Sequence, residues 1–187
     1  MKHFLRYSLI VASLCAGLQA GTLTLEPSGA LSGYPGQTIG WGFTLENSDN
    51  YLLVTGVDYV TSTPIGTFTD FASTYNFIVV GPTPESPTVT QLFDLLALTG
   101  IGSYLIDPGT AVGSVSTGFI QLTYDLYSVS PNDAAFDPAA DFVSGNNTLE
   151  AAASIEVVDA PEPATCLLLG CGLIAVAAAR RRRLTTT

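Results

Sequence analysis

The feature that most constrains the fold is a long interval without a basic residue. No Lys, Arg or His occurs from Gly21 to Ala179, whereas all 16 acidic residues lie there, which gives the interval a formal charge of −16. The three cysteines lie in two apolar runs near the chain ends, at Cys15, Cys166 and Cys171. The chain between those runs has no partner for an ion pair or a disulfide, so apolar burial and hydrogen bonds must hold its fold. About 140 residues are enough to bury such a core.

The same composition excludes several classes of function. A His-dependent catalytic triad and a His-metal site cannot be built without histidine. A Schiff base and a cationic clamp for phosphate both need Lys or Arg. The acidic surface repels nucleic acid and anionic lipid. We therefore expect a non-enzymatic domain without a cofactor and without a nucleic-acid partner.

Alternation of apolar and polar residues predicts β-strands throughout this interval. The clearest case is QTIGWGFTLE, residues 37–46, in which Ile39, Trp41, Phe43 and Leu45 share one face. We expect Trp41 to lie in the core on that face. Further strands are predicted at residues 22–25, 51–60, 74–80, 118–129 and 153–158. Residues 89–100 are interpreted as one more strand, with a short helix as the alternative.

The number and spacing of these strands predict the fold class. We expect an all-β domain over residues 21–159, an antiparallel β-sandwich of Ig-like or jelly-roll-like class. The segment 81–87 carries three prolines, which cannot donate to a sheet, and is predicted to be a loop. The stretch YPGQTIGWGFTLEN, residues 34–47, resembles the early strand of many bacterial surface Ig-like sandwiches. That resemblance covers a short part of the chain and concerns the fold alone.

The first 20 residues, MKHFLRYSLIVASLCAGLQA, have the parts of a secretory signal peptide. Lys2, His3 and Arg6 form a basic region, an apolar run follows, and small residues end the segment. Cleavage after Ala20 and cleavage after Gly17 both fit the sequence. An uncleaved anchor helix is the alternative, although about a dozen apolar residues are few for crossing a bilayer. We predict that the protein is exported.

The C-terminal segment, residues 160–187, combines three elements. Pro161, Glu162 and Pro163 form an extended stretch that a helix cannot enter. An uncharged run at residues 166–179 follows and, counted from residue 163, would span about 25 Å as a helix. The run ends at a basic cluster, Arg180, Arg181, Arg182 and Arg183. Because guanidinium groups are costly to move through lipid, this cluster is predicted to stop a single transmembrane helix with the acidic domain outside the cytoplasm.

This order of elements resembles the PEP-CTERM sorting tail of Gram-negative bacteria, over residues 160–183. The resemblance implies recognition by an exosortase, a membrane-embedded cysteine transpeptidase-like enzyme that removes the helix. It also implies an anchored precursor in the inner membrane and delivery of the ectodomain to the cell surface or the outside, often in bacteria that make exopolysaccharide. A surface or matrix protein associated with exopolysaccharide or biofilm is therefore expected. A single-pass anchor that is never processed is the alternative.

Two oxygen-rich segments are the candidates for a Ca²⁺ site. Asp133, Asp137 and Asp141 recur at four-residue spacing, although Pro138 interrupts a helix there. The turn ENSDN, residues 46–50, offers carboxylate and amide oxygens. A solvated acidic loop and an ordinary turn are the preferred interpretations of these two segments.

The remaining candidate is an aromatic side chain on a polar strand face. Tyr127 shares its face of the strand at residues 118–129 with Thr and Asp, and is the candidate for a surface aromatic that stacks on sugar. The alternative functions are accordingly a carbohydrate- or calcium-binding surface module and a glycoside hydrolase that uses two carboxylates.

Overall fold

The computed structural model describes residues 21–160. The predicted signal peptide, the transmembrane helix, the Pro161–Glu162–Pro163 motif and the arginine cluster lie outside the described residues. The described part contains ten β-strands and no helix, so the all-β prediction is confirmed. The strands are β1 (Gly21–Glu26), β2 (Ala30–Gly33), β3 (Thr38–Asn47), β4 (Tyr51–Thr61), β5 (Gly66–Asp70), β6 (Val79–Val80), β7 (Thr88–Gln91), β8 (Gly102–Ile106), β9 (Val115–Tyr127) and β10 (Phe142–Val157).

The strands form two sheets of five strands each. The first has the order β1–β3–β8–β5, with β7 also paired to β3, and all its pairs are antiparallel. The second has the order β2–β10–β9–β4–β6. Its pairs are antiparallel except for β2, which runs parallel to β10. Only residues 27–29 separate β1 from β2, so one stretch of chain supplies an edge strand to each sheet, and the antiparallel prediction is corrected at that edge.

The two sheets pack face to face around one apolar core. The predicted inward face of β3 is buried throughout, at Ile39, Trp41, Phe43 and Leu45. The core residues that face it from the second sheet include Leu52, Ile120, Leu122, Leu149 and Ile155. The Trp41 ring lies 5.7 Å from the ring of Tyr59 on β4, which joins the sheets, and its Nε1–H donates to the Gly29 carbonyl at 3.1 Å. Burying so large a side chain with its one donor satisfied stabilises the sandwich.

Two predicted strands are shorter than expected because side-chain hydrogen bonds hold turns there. In the segment 74–80 only Val79–Val80 is a strand, since the Asn76 amide donates to the carbonyls of Phe71 and Leu98, both at 2.9 Å. In the segment 89–100 the strand ends at Gln91, and the short-helix alternative is not present either. Asp94 Oδ1 instead accepts the N–H groups of Leu96 and Ala97, two and three residues further on, at 2.8 and 3.0 Å.

Several strands were not apparent in the sequence. β2, β5 and β8 have at most five residues each and no long alternation. β10 begins eleven residues before the strand predicted at residues 153–158, and its register shifts between Phe142, Ser144 and Asn147. The intervening Asn146 has a φ of 57°, in the left-handed region that Asn tolerates. These irregularities break the period of two, so the pattern does not show the strand.

Candidate functional site

Where the chain leaves the sandwich, at Val157 and Val158, backbone hydrogen bonds connect it to two different segments. β10 ends at Val157, whose N–H donates to Ser114 at 2.9 Å and whose carbonyl accepts the Gly113 N–H at 2.8 Å. The next residue, Val158, donates its N–H to the Gly33 carbonyl at 2.9 Å. The fold is therefore hydrogen-bonded up to Val158, two residues before the C-terminal segment begins at residue 160.

The acidic loop between β9 and β10 uses its carboxylates to close turns. Asp137 Oδ1 accepts the backbone N–H groups two and three residues further on, at 2.9 and 3.3 Å. Asp141 Oδ2 accepts the N–H of Asp137 at 2.8 Å, and Asp133 Oδ1 accepts the N–H two residues after it at 2.8 Å. In the part of the chain that the structure describes, no group of three or more acidic, His or Cys side chains could hold a metal ion. The structure thus does not assemble the predicted Asp133–Asp137–Asp141 site.

Tyr127 is not a surface aromatic, so the prediction of a sugar-stacking side chain there is wrong. It is 8 % exposed and lies at the end of β9. Its ring centroid is 5.0 Å from that of Phe136 and 5.9 Å from that of Phe142, both in edge-to-face orientation. The acidic loop folds back through Phe136 and covers the nominally polar face of the strand, which strand periodicity alone does not indicate.

The turn at residues 46–50 contains a buried amide. Asn47 is the last residue of β3 and is 4 % exposed, on the same inward face as Phe43 and Leu45. Its Nδ2 donates to the carbonyls of Asn50 at 2.7 Å and Val80 at 3.1 Å, with a longer contact to Gly81 at 3.4 Å. Its Oδ1 is buried and accepts no hydrogen bond from any residue in the described range. Burying an acceptor without a hydrogen bond is costly in a folded protein.

A pocket of about 350 Å³ opens beside this amide. Its lining comes from the start of β1, the end of β3 and the loop before β7, and consists of Gly21, Thr22, Glu46, Asn47, Ser48, Thr83, Pro87 and Thr88. The Thr22 hydroxyl donates to Glu46 Oε2 at 3.3 Å. The lining is therefore rich in oxygen atoms and carries one carboxylate. The sequence identified the oxygen-rich turn but not the burial of Asn47 within it.

Tyr51 connects the end of this turn to the proline-rich loop at residues 81–87. It is the first residue of β4, and its hydroxyl donates to Glu85 Oε2 in the proline-rich loop. That hydrogen bond raises the pKa of Tyr51, and partial burial and the carboxylates of Glu85 and Asp133 raise it further. Burial likewise raises the pKa values of the core residues Tyr104 and Tyr124. Each of these phenols is held in its neutral form.

An exposed apolar surface lies on two adjoining loops. Phe71 is buried and its ring lies 5.8 Å from that of Tyr75 and 6.3 Å from that of Phe93, which joins the loops. Outside this contact the side chains point to solvent: Leu96 is 95 % exposed and Phe77 is 64 % exposed. The only feature of the sequence that indicated this exposed apolar surface was the lack of alternation among the apolar residues of segment 89–100.

The described residues include no helix that is long and apolar enough to cross a membrane. The predicted anchor helix lies outside them.

Comparisons with known proteins find a sorting motif at the end of the chain and low-scoring similarities to solved structures. The model of the PEP-CTERM protein-sorting motif matches residues 159–183, which confirms the resemblance drawn from the sequence. The structure of the ASH/PapD-like domain 7 of human CEP192 is 6% identical and covers 86% of this chain and 100% of its own, with a TM-score of 0.38. The C. elegans MSP family member WR4 is 10% identical and covers 73% of this chain and 98% of its own, with a TM-score of 0.35. No curated protein matches the sequence.

Proposed function

We propose that this chain, a PEP-CTERM sorting-domain protein, is a non-enzymatic cell-surface or extracellular-matrix protein that an exosortase processes after export. In this proposal residues 1–20 are a signal peptide, residues 21–159 form an Ig-like or jelly-roll-like domain, and the segment 160–187 anchors the precursor. Pro161, Glu162 and Pro163 are the sorting motif, and Arg180, Arg181, Arg182 and Arg183 keep the precursor in the inner membrane. The mature domain then reaches the cell surface, where exopolysaccharide is the expected partner.

The observation that carries this proposal is the position of the sorting motif relative to the fold. The motif begins at residue 159, directly after the hydrogen bond from Val158 to Gly33. From Val158 to Pro163 a fully extended chain reaches about 18 Å. An enzyme that recognises Pro161 to Pro163 on the folded precursor must therefore work within that distance of the sandwich.

The chemistry of the domain supports a non-enzymatic role. The interval from Gly21 to Ala179 lacks His, Lys and Arg, so only carboxylates remain as acid–base catalysts. Among the described contacts, those of Asp94, Asp133, Asp137 and Asp141 close local turns. No described contact singles out a carboxylate pair for glycoside hydrolysis or an aromatic platform for sugar.

The test is the intact mass of the protein recovered from outside its native host. Wild-type protein is expected to end near Pro163, without the apolar run and the arginines. The double variant Pro161→Ala with Glu162→Ala, recovered from the membrane fraction, is expected to keep Arg180 to Arg183, because the extended recognition element is lost. Its melting temperature is expected to equal that of the wild type, since the hydrogen bonds that close β10 involve only residues up to Val158.

A matched control changes one acidic residue and one proline inside the folded domain. Asp107→Ala with Pro108→Ala alters an exposed acid–proline pair in the loop after β8 and should leave processing unchanged. If the sorting-motif variant were cleaved as efficiently as this control, the proposal would be wrong. If the wild-type protein also retained Arg180 to Arg183, the chain would be a permanently anchored membrane protein, and the proposal of processing would be wrong.

A further inference from the structure

The outer face of the first sheet carries a regular array of hydroxyl groups. Cross-strand pairing places outward side chains of β1, β3 and β7 in two successive rows, which are Thr22–Glu46–Thr88 and Thr24–Thr44–Thr90. Hydrogen bonds join neighbours within each row: the Thr22 hydroxyl donates to Glu46 at 3.3 Å, and the hydroxyl oxygens of Thr44 and Thr90 are 3.0 Å apart. Glu26, the next outward residue of β1, accepts the Thr44 hydroxyl at 3.4 Å. We call the two rows the threonine face.

The threonine face carries little charge for so acidic a domain. Glu46 is the one carboxylate among its six side chains. On the second sheet, the row Asp58–Gln121–Glu150 contains two carboxylates among three residues. The outer faces of the two sheets therefore differ, and the first presents hydroxyl groups where electrostatic repulsion of a partner is weaker.

A concave site adjoins the threonine face. Threonine is an ordinary strand residue, so the rows alone do not identify a site. The first row, however, lines the pocket of about 350 Å³ described above, and Thr83 of the proline-rich loop adds a further hydroxyl to that lining. This volume lies within the range of pockets that bind small molecules. The pocket is therefore large enough for one small ligand beside Thr22, Glu46 and Thr88.

The side chains of the pocket select the class of ligand. Threonine hydroxyls both donate and accept hydrogen bonds, whereas the Glu46 carboxylate only accepts them. A neutral sugar offers O–H donors to the carboxylate and oxygen acceptors to the threonines. An anionic sugar is disfavoured, because Glu46 repels it and no basic side chain occurs from Gly21 to Ala179 to pair with it.

We propose that the threonine face binds a neutral polysaccharide, with one sugar unit in the pocket and the next along the row Thr24–Thr44–Thr90. None of the described residues that line the pocket is aromatic, so hydrogen bonds carry the recognition. Repetition of the sugar unit along the polymer raises the overall affinity of many weak contacts. The inference rests on the proposed function for the presence of polysaccharide outside the cell, and it adds the binding site and the charge of the ligand.

The first experiment measures binding to polysaccharide from the host itself. Extracellular polysaccharide is separated by anion exchange into a neutral and an anionic fraction, and each is titrated against protein recovered from the native host. Saturable binding to the neutral fraction is expected, with binding to the anionic fraction about tenfold weaker. Equal or stronger binding to the anionic fraction, binding to neither, or a host polysaccharide without a neutral fraction would overturn the inference.

A pair of double variants tests the pocket. Thr83→Val with Thr88→Val removes two hydroxyls at little change in side-chain shape, so the Kd for the neutral fraction should rise about tenfold. Thr55→Val with Thr117→Val is the matched control, because it changes two exposed threonines on the second sheet and should leave that Kd unchanged. Both variants should melt within about 2 °C of the wild type, since the substitutions are exposed. Equal Kd values for the two double variants would show that the pocket does not bind the polymer.

Glu46→Gln tests the selection by charge. The amide keeps an acceptor oxygen but loses the charge, so binding to the neutral fraction should weaken about threefold. Binding to the anionic fraction should strengthen, because a like charge has been removed. Glu150→Gln on the second sheet is the control and should change neither value. If the two variants could not be distinguished, Glu46 would have no part in the site.

The length of the ligand tests the second row. Fragments of the neutral fraction are prepared by partial hydrolysis and sorted by size. Thr24→Val with Thr90→Val should weaken the binding of longer fragments and leave single sugar units unaffected, whereas the pocket variant should weaken both. A row variant that binds every length as the wild type does would contradict a polymer lying along the threonine face.

The intact mass of the same protein sample reports C-terminal processing separately. Protein that retains Arg180 to Arg183 and binds the neutral fraction would contradict processing and support this inference. Processed protein that does not bind would contradict this inference alone.

Discussion

The turn at residues 46–50 and the loop at residues 133–141 both carry carboxylates at strand ends, yet their side chains lie in different surroundings. In the turn, Asn47 is buried and its Nδ2 donates to buried carbonyls while its Oδ1 remains unpaired in the described structure. In the loop, Asp133 and Asp137 are exposed, and their oxygens accept backbone N–H groups of the same loop. The carboxylates of the loop are used in its own hydrogen bonds, whereas the turn buries an amide oxygen for which the described residues provide no donor.

Strand register explains the difference. Asn47 follows Phe43 and Leu45 at the period of two that places side chains on the inner face of β3, so its amide must enter the core. The acidic loop begins after β9 has ended and lies outside both sheets. Strand register therefore distinguishes two kinds of oxygen-rich segment. Where the register places one of the polar side chains on the inner face, the segment is a candidate site; where all of them face outward, it is an ordinary turn.

The sharpest way to break this comparison is to remove the buried amide. Asn47→Ala deprives the buried carbonyls of Val80 and Gly81 of their donor, which should cost about 3 kcal/mol of unfolding free energy. That loss corresponds to a fall in melting temperature of about 9 °C, measured by calorimetry or circular dichroism. Asn132→Ala, at an exposed amide in the acidic loop, is the control and should change it by less than about 1 °C. Similar values for the two variants would remove the distinction between the segments.

Much of the fold could be predicted because long strands of this domain keep a clean alternation. Ile39, Trp41 and Phe43 on β3, and Ile120 and Leu122 on β9, are buried as their period of two requires. The short strands could not be predicted in the same way. Four or five residues contain too few repeats, and they pair only because the long strands provide an edge for them.

A smaller effect is expected from the acidic loop. Asp137→Ala removes the acceptor for two backbone N–H groups and should lower the melting temperature by about 2 °C. Asp137→Asn keeps an acceptor oxygen and removes a charge from an acidic domain, so its melting temperature should match or slightly exceed that of the wild type. Neither variant should alter the response of the protein to Ca²⁺. A Ca²⁺-dependent stabilisation that is lost in both variants would restore the metal site predicted from the sequence.

The candidate sites were less predictable than the fold because their properties depend on contacts distant in sequence. Tyr127 has the alternation of a surface residue, but Phe136 folds back over it from the loop. The orphan oxygen of Asn47 depends on Val80 and Gly81, which turn its Nδ2 in one direction. The sorting motif could be predicted because it does not depend on such contacts. Pro161, Glu162 and Pro163 are recognised as a linear segment and need no tertiary partner.

The smallest expected effect concerns Tyr51, the residue that directly follows the turn at residues 46–50. Its hydroxyl donates to Glu85, and this hydrogen bond raises the pKa of Tyr51 above its ordinary value of 10.0. The contribution of the bond is thus complete below pH 10.0 and is lost as the pH rises through the folded pKa. Tyr51→Phe should lower the melting temperature by about 1 °C at pH 7, and by nothing once the wild-type phenol is ionised.

Tyr75→Phe is the control for that measurement, because the Tyr75 side chain is 55 % exposed and its hydroxyl bonds to no described residue. A Tyr51→Phe deficit that persisted unchanged above the ionisation of the wild-type phenol would show that ring packing, and not the hydrogen bond to Glu85, joins the turn to its neighbours. In that case removal of the Glu85 carboxylate would leave the melting temperature unchanged at pH 7. The turn would then depend more strongly on the hydrogen bonds of the Asn47 amide, which would widen its difference from the acidic loop.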